Sequence, residues 1–149
     1  MDTVKEILEI KGRDVLSIKV SESVYAAVEK MAKMEVGALT VLDDTEHLVG
    51  IISERDYARK IVLNDKTSKD TNVSDIMTSN VISIAEETTV EKCMSLMSQK
   101  KIHHLPVLKR DALVGIITAA DLMKFIVKKQ SMAIEELESY IMGETGGSG

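Results

Sequence analysis

The chain has 149 residues, of which 44% are hydrophobic and 29% charged, and its net charge is −5. This is ordinary globular composition, enough for one compact domain or two small halves sharing a core. The acidic balance excludes a nucleic-acid-coating protein, which needs a basic face, but leaves room for a small basic pocket that holds a phosphate.

With no Trp and one Phe, the core must be aliphatic, helped by nine Met. A single cysteine, Cys93, excludes an internal disulfide and suits a reducing, cytoplasmic compartment. The opening MDTVKEILEIKG carries Asp2 and Glu6 and reads as neither signal peptide nor anchor. No run reaches the roughly 18 to 20 apolar residues of a membrane span.

Taken in order, Val4-x-x-Ile7-Leu8 comes first, then a short apolar strand at 15–18. Ser21 or Ser23 can cap a helix over 24–33 that sets Val24, Ala27, Val28, Met31 and Met34 on one face. Strands at 38–42 and 48–52 flank the polar connection Asp43-Asp44-Thr45-Glu46-His47, and a helix starts near Ser53. The pattern then restarts. Val73-x-x-Ile76-Met77 echoes the opening, followed by a strand at 81–84, a helix at 90–100, strands at 105–108 and 113–117, and a helix from about Ala119.

The two series superpose residue by residue. Residues 14–42 moved forward by 66 lie on 80–108, and after a one-residue slip 48–57 lie on 113–122. Val49-Gly50-Ile51-Ile52-Ser53-x-x-Asp56 thereby aligns with Val114-Gly115-Ile116-Ile117-Thr118-x-x-Asp121. The expected fold is α+β, with two pseudo-symmetric β-α-β-β-α repeats packed sheet to sheet and a C-terminal helical extension. The division is 1–66 for the first repeat with its N-terminal segment, 67–130 for the second, 131–142 for a C-terminal helix and 143–149 for a flexible Gly-rich tail.

Two such units, each ending in Gly-Ile-Ile-[Ser/Thr]-x-x-Asp, resemble a pair of CBS domains, a Bateman module. Lys11-Gly12, Val36-Gly37-Ala38-Leu39, Ser53-Glu54-Arg55-Asp56-Tyr57, Ile76-Met77-Thr78 and His104-Leu105-Pro106-Val107 strengthen the likeness to stand-alone bacterial and archaeal members. So does Ile134-Glu135-Glu136-Leu137-Glu138-Ser139-Tyr140-Ile141. The resemblance implies a non-enzymatic regulatory module that binds an adenosine-containing ligand between its repeats and works as a homodimer. No obligatory cofactor is implied; AMP or NAD is the expected ligand, ahead of ATP.

Two readings of the hydroxyl-x-x-Asp turn stand side by side. In one, the hydroxyl caps a helix and the acid completes a capping box. In the other, Asp56 and Asp121 hold the vicinal hydroxyls of a ribose, with Ser53 and Thr118 beside a phosphate. The resemblance assigns Leu16, Val36 and Gly37 as the adenine wall of the cleft at Thr118 and Asp121, with His103 and His104 near phosphate. It assigns Ile82, Ile102 and His103 as the wall at Ser53 and Asp56, with Arg55 toward phosphate, and lets Lys11 reach either cleft. Two departures weaken the grip on a polyphosphate. His103 stands where relatives carry Arg, and Ala120 stands where they often carry Gly.

No P-loop, G-x-G-x-x-G, nucleophile elbow or H-E-x-x-H is present, so the chain reads as no enzyme. The adjacent histidines point to opposite faces of a strand, which argues against a metal site. The rival readings are a dimerisation scaffold with empty clefts and a regulatory subunit of an unidentified protein target. Leu122, Phe125, Ile126 and Met132, continued by Ile134, Leu137 and Ile141, form an apolar face suited to an interface.

Overall fold

Each half of the chain is organised around an antiparallel strand pair whose second strand ends in the hydroxyl-x-x-Asp turn. The computed structural model describes residues 1–147, with side-chain surroundings through Gly143. The elements are α1 (Val4–Lys11), β1 (Ser17–Lys19), α2 (Val24–Met34), β2 (Ala38–Leu42), β3 (Leu48–Ser53) and α3 (Glu54–Asp56), which runs into a π-helix at Tyr57–Val62. They continue with α4 (Val73–Ile76), α5 (Val90–Lys100), β4 (His104–Lys109), β5 (Ala112–Thr118) and α6 (Ala119–Gly147). The mixed α+β, two-repeat architecture is the one the sequence predicts.

Repetition extends to small details. Ser23 caps α2 by accepting from the Ala26 N–H at 3.0 Å, and Thr89 caps α5 by accepting from Lys92 at 3.1 Å. Both helices end on a non-glycine residue in the left-handed region, Glu35 and Lys101, so the next N–H folds back to the carbonyl of Met31 or Met97. Both strand pairs carry a register shift at the same place, Val41/Leu42 and Val107/Leu108.

The halves differ at the strand before the first helix. β1 pairs parallel with β2, whereas 81–84 contributes only the isolated bridge from Ile84 to Val107. Pro106 accounts for the loss. In the first half the Thr40 N–H donates to the Leu16 carbonyl at 3.2 Å; Pro106 occupies the matching position and has no N–H to give. The predicted strand at 81–84 is thus reduced to one bridge.

The N-terminal segment, expected to belong with the first repeat, packs on the second. Val4, Ile7 and Leu8 share a core with Val90, Leu105, Ile117 and Phe125. Conversely, Val73 and Ile76 of α4 complete the first-half core of Val24, Met31, Leu39 and Ile52. Reciprocal backbone bonds fix the exchange: Val4 N–H donates to Thr88 and Val90 N–H to Asp2, as Val73 N–H donates to Glu22 and Val24 N–H to Thr71. Each half alone lacks the surface to close its core, and a borrowed helix supplies it.

This exchange explains the glycine of both Val-Gly-Ile-Ile stretches. A Cβ on Gly115 would lie 2.7 Å from Leu8 Cδ2, and one on Gly50 would lie 2.6 Å from Met77 Sδ. The borrowed segment presses directly on the strand backbone in each case.

α6 is one continuous helix through the boundary placed at 130/131, and it continues to Gly147 across most of the expected flexible tail. Its docked first turns form the nucleus, and each further residue then adds a backbone bond. Ser148 and Gly149 of that tail lie outside the described residues.

Candidate functional site

Both hydroxyl-x-x-Asp turns form reciprocal caps. Ser53 Oγ accepts from the Asp56 N–H at 3.1 Å, and Asp56 Oδ2 accepts from the Ser53 N–H at 3.0 Å. Thr118 Oγ1 accepts from the Asp121 N–H at 3.1 Å, and Asp121 Oδ2 accepts from the Thr118 N–H at 2.9 Å. The capping reading therefore holds in both copies, and it leaves the second carboxylate oxygen of each Asp turned elsewhere.

What else meets the carboxylate differs, at the second oxygen in Asp56 and at the capping oxygen itself in Asp121. Asp56 Oδ1 faces Lys60 Nζ at 3.1 Å and Thr78 Oγ1 at 3.5 Å. Lys60 is held in place by a second bond to the Ile76 carbonyl, 2.8 Å away. At Asp121 the lysine comes from α1: Lys11 Nζ lies 2.6 Å from Oδ2 and 2.9 Å from the Ile116 carbonyl. Burial pushes the Asp121 carboxyl up, but the bonds from Lys11 and Thr118 outweigh it and hold the group below the ordinary aspartate value.

A cleft of about 540 Å³ opens beside Asp56. This is within the range of small-molecule sites. Of the residues singled out in the sequence, Gly37, Ser53, Arg55, Asp56, Ile82, Ile102, His103 and His104 line it. Gly37 was assigned to the opposite cleft, yet it sits here because its carbonyl accepts the Glu54 N–H at 3.0 Å and so anchors the turn after β3. His104, also assigned to the opposite cleft, lines this one from the start of β4.

The remaining candidates lie elsewhere. Leu16 and Val36 pack, half-buried, against the first-half core. Lys11 and Asp121 border a separate cavity of about 110 Å³ beside Phe125 and Lys128. Thr118 ends β5, and Ala120 is the exposed second residue of α6.

Sequence reasoning missed Glu54, Arg59, Lys60, Thr78, Asn80 and Lys101, all of which line the cleft. Lys60 was within reach of a simple signal, since an acid and a lysine four residues apart share a helix face. Lys101 could not be found that way, because its position depends on the left-handed cap of α5.

The charge of the cleft opposes that of the chain. Arg55, Arg59, Lys60 and Lys101 supply four permanent cations against the carboxylates of Glu54 and Asp56, in a protein whose net charge is −5. Ile51, Val81, Ile82 and Ile102 provide an apolar wall. His104 is held below the ordinary histidine pKa, first by burial and then by the neighbouring His103 and Lys11, with Asp121 opposing them. It is therefore neutral at pH 7. The arrangement suits a flat apolar ring with an anionic group attached.

The CBS-domain family model matches residues 4–63 and 73–128, one copy on each half. The chain belongs to the CBS-domain family. It is a CBS-pair regulatory module. Among known proteins it is 36% identical over 149 residues to the mitochondrial CBS domain-containing protein CBSX3 of Arabidopsis thaliana, covering 95% of this chain and 72% of that one. A solved structure of a protein with CBS domains from Burkholderia ambifaria MC40-6 is 40% identical with a TM-score of 0.82, covering 86% of this chain and 96% of the other. The crystal structure of CBSX2 in complex with AMP is 25% identical with a TM-score of 0.72, covering 87% and 99% respectively.

Cys93 of this CBS pair is buried, and burial raises its thiol pKa to about 11. It acts as a small packed side chain rather than a nucleophile. No helix among the described residues is long and apolar enough to cross a membrane.

Proposed function

We propose that this CBS pair senses an adenine nucleotide, AMP before NAD or ATP, in the cleft at Ser53 and Asp56. The observation that carries the reading is the juxtaposition, in one cleft, of an apolar wall, a carboxylate and a surplus of cations. In this assignment Ile82 and Ile102 flank the adenine, and Asp56 accepts from the ribose hydroxyls. Arg55, Arg59 and Lys101 surround the phosphate. The AMP complex of CBSX2 supports the choice of ligand.

The site at Asp121 is the weaker one. Each carboxylate is answered by a lysine, but Lys11 and Asp121 border a cavity of only about 110 Å³, against about 540 Å³ beside Asp56. Nucleotide occupancy controls a protein target by favouring whichever arrangement of the module binds the ligand better.

Titration calorimetry with AMP, ADP, ATP, NAD and NADH tests the proposal. The expected result is one stronger site for AMP, abolished by Ile102→Glu, which puts a charge into the adenine wall. Absence of heat with every nucleotide at millimolar concentration rejects the reading in favour of a scaffold with empty clefts.

A further inference from the structure

The two halves treat the outer edge of their sheets differently. In the first half β1 ends the sheet and is guarded. Lys19 stands on the strand itself, and Lys30 reaches round from α2 to donate to the Ser17 carbonyl. Lysines placed in this way keep an edge from pairing with another strand. In the second half Ser17, Lys19 and Lys30 are matched by Ser83, Ala85 and Leu96. Both guards are gone, and an apolar side chain stands where the capping ammonium would be.

The backbone shows what this leaves open. Ile84 turns both its polar groups to β4, its N–H donating to the Pro106 carbonyl at 3.0 Å and its carbonyl accepting from Leu108 at 2.9 Å. Pairing groups alternate along an extended chain, so the N–H and carbonyl of Ser83 point the other way, out of the sheet. No group among the described residues bonds to either of them, or to the Val81 carbonyl on the same side. Ser83 is exposed. The free edge is short, because the Val81 N–H donates to Ser79 at 2.9 Å and the Ala85 N–H to Thr88 Oγ1 at 3.1 Å.

A shallow groove of about 510 Å³ runs beside it. Leu96 and Ile84 make it apolar, and Lys92 and Arg110 stand over it against the single carboxylate of Asp111. Neither cation has an ion-pair partner among the described residues.

We propose that this edge takes up an extended acidic peptide segment as an added strand. A peptide residue opposite Ser83 exchanges two backbone bonds with it, and the residue two places on donates to the Val81 carbonyl. Backbone bonds of this kind supply affinity, and the side-chain groove supplies selectivity. The neighbouring peptide side chains fall on the Ile84 side of the strand, where an apolar one packs on Leu96 and a glutamate meets Lys92. The surplus of positive charge selects the acidic segment. The brevity of the free edge suits a peptide rather than a whole sheet. This inference stands apart from the nucleotide reading, and its test uses nucleotide-free protein because Val81 and Ile82 of the same segment also line the Asp56 cleft.

The probe is the peptide acetyl-Thr-Glu-Val-Thr-Val-Glu-Thr-amide, titrated into the full chain and followed by amide NMR. The Ser83 and Leu96 resonances should shift saturably, and hydrogen exchange at the Ser83 amide should slow. The fully N-methylated peptide, which cannot donate, should not bind. A peptide with lysine in place of both glutamates should bind about tenfold more weakly.

Two variants close the edge. Leu96→Lys keeps an aliphatic stem on the core and lets its ammonium take the Ser83 carbonyl, as Lys30 takes that of Ser17. Ser83→Pro removes an N–H that the fold does not use. Each should weaken binding about tenfold through lost backbone bonds, with thermal unfolding still cooperative.

The proposal is overturned by a Ser83 resonance that millimolar peptide leaves unmoved, by binding that survives full N-methylation, or by binding unchanged in both variants. Equal affinity for the lysine peptide overturns the acidic preference. A Ser83 amide already protected without peptide, increasingly so as protein concentration rises, assigns the edge to a second copy and overturns the proposal as well.

Discussion

The two hydroxyl-x-x-Asp turns share a backbone cap and differ in the lysine that answers the carboxylate. At Asp56 the lysine comes from the same helical segment, four residues on, and an open cleft lies alongside. At Asp121 it comes from α1, 110 residues away, and also holds a strand carbonyl. A repeated motif reproduces the turn faithfully. It does not reproduce the surroundings, because these come from elements that each half receives from elsewhere in the chain. Duplicated sequence therefore means a duplicated turn, not duplicated surroundings.

The largest contrast lies where α1 and α4 press on the strand glycines. Leu8 is 1% exposed, whereas Met77 is only partly buried. Leu8→Ala should cost about 2–5 kcal/mol of stability, and Met77→Ala should cost less, as measured by denaturant unfolding. Gly115→Ala alone should cost about 1–3 kcal/mol by overpacking, and combining it with Leu8→Ala should cost less than the sum, because the new methyl takes the vacated space. Additive costs would break the claimed contact between Leu8 and Gly115.

The next contrast concerns the carboxylates. Removing a charged acceptor costs about 1.5–3 kcal/mol. Asp56→Ala should accordingly weaken AMP binding about tenfold to hundredfold, while Asp121→Ala leaves the stronger site intact. Equal losses in calorimetry would show that the clefts are alike after all.

Smaller effects appear with pH. The folded Asp121 has a lowered pKa, so its stabilisation is fully present above the unfolded value of about 3.9 and is lost as pH falls through the folded value. Lys11→Met should destabilise the protein by less than about 1 kcal/mol at neutral pH. The difference from wild type should fade below about pH 4. A penalty that persists there would assign Lys11 a packing role rather than a charge role.

The smallest effect belongs to His104. Its folded pKa lies below the usual value, so the unfolded chain binds a proton first and stability declines as pH falls below about 6.5. His104→Gln should flatten that decline in unfolding midpoints measured between pH 7 and 5. An unchanged slope would place the titrating group elsewhere.

Much of this was legible in the sequence because it is local. Periodicity located α2, α5 and the paired strands, and hydroxyl-to-acid spacing located both caps. The ownership of α1 was not local. Val4, Ile7 and Leu8 show that a face is buried, but their spacing does not say against which half. The loss of the strand at 81–84 was written in Pro106, yet it becomes visible only when the missing N–H is matched with the Thr40 bond of the other repeat. The cleft was half legible: Ser53, Asp56, Ile82, Ile102 and His103 come together as expected, whereas Arg59 and Lys101 depend on how the π-helix and the α5 cap aim them.

The helix exchange also sets an order of events during synthesis. α1 is translated ahead of the elements it packs against, with Val4, Ile7 and Leu8 uncovered, and β5 and α6, which cover them, follow more than a hundred residues later. The first half is complete once α4 has emerged, and it can close while the ribosome is still making α5. The second half cannot close until the nascent chain brings α1 back to its newly made β5 and α6. Loss of α1 would thus spare the half it is attached to in sequence, and would leave the later half open to chaperones and proteases.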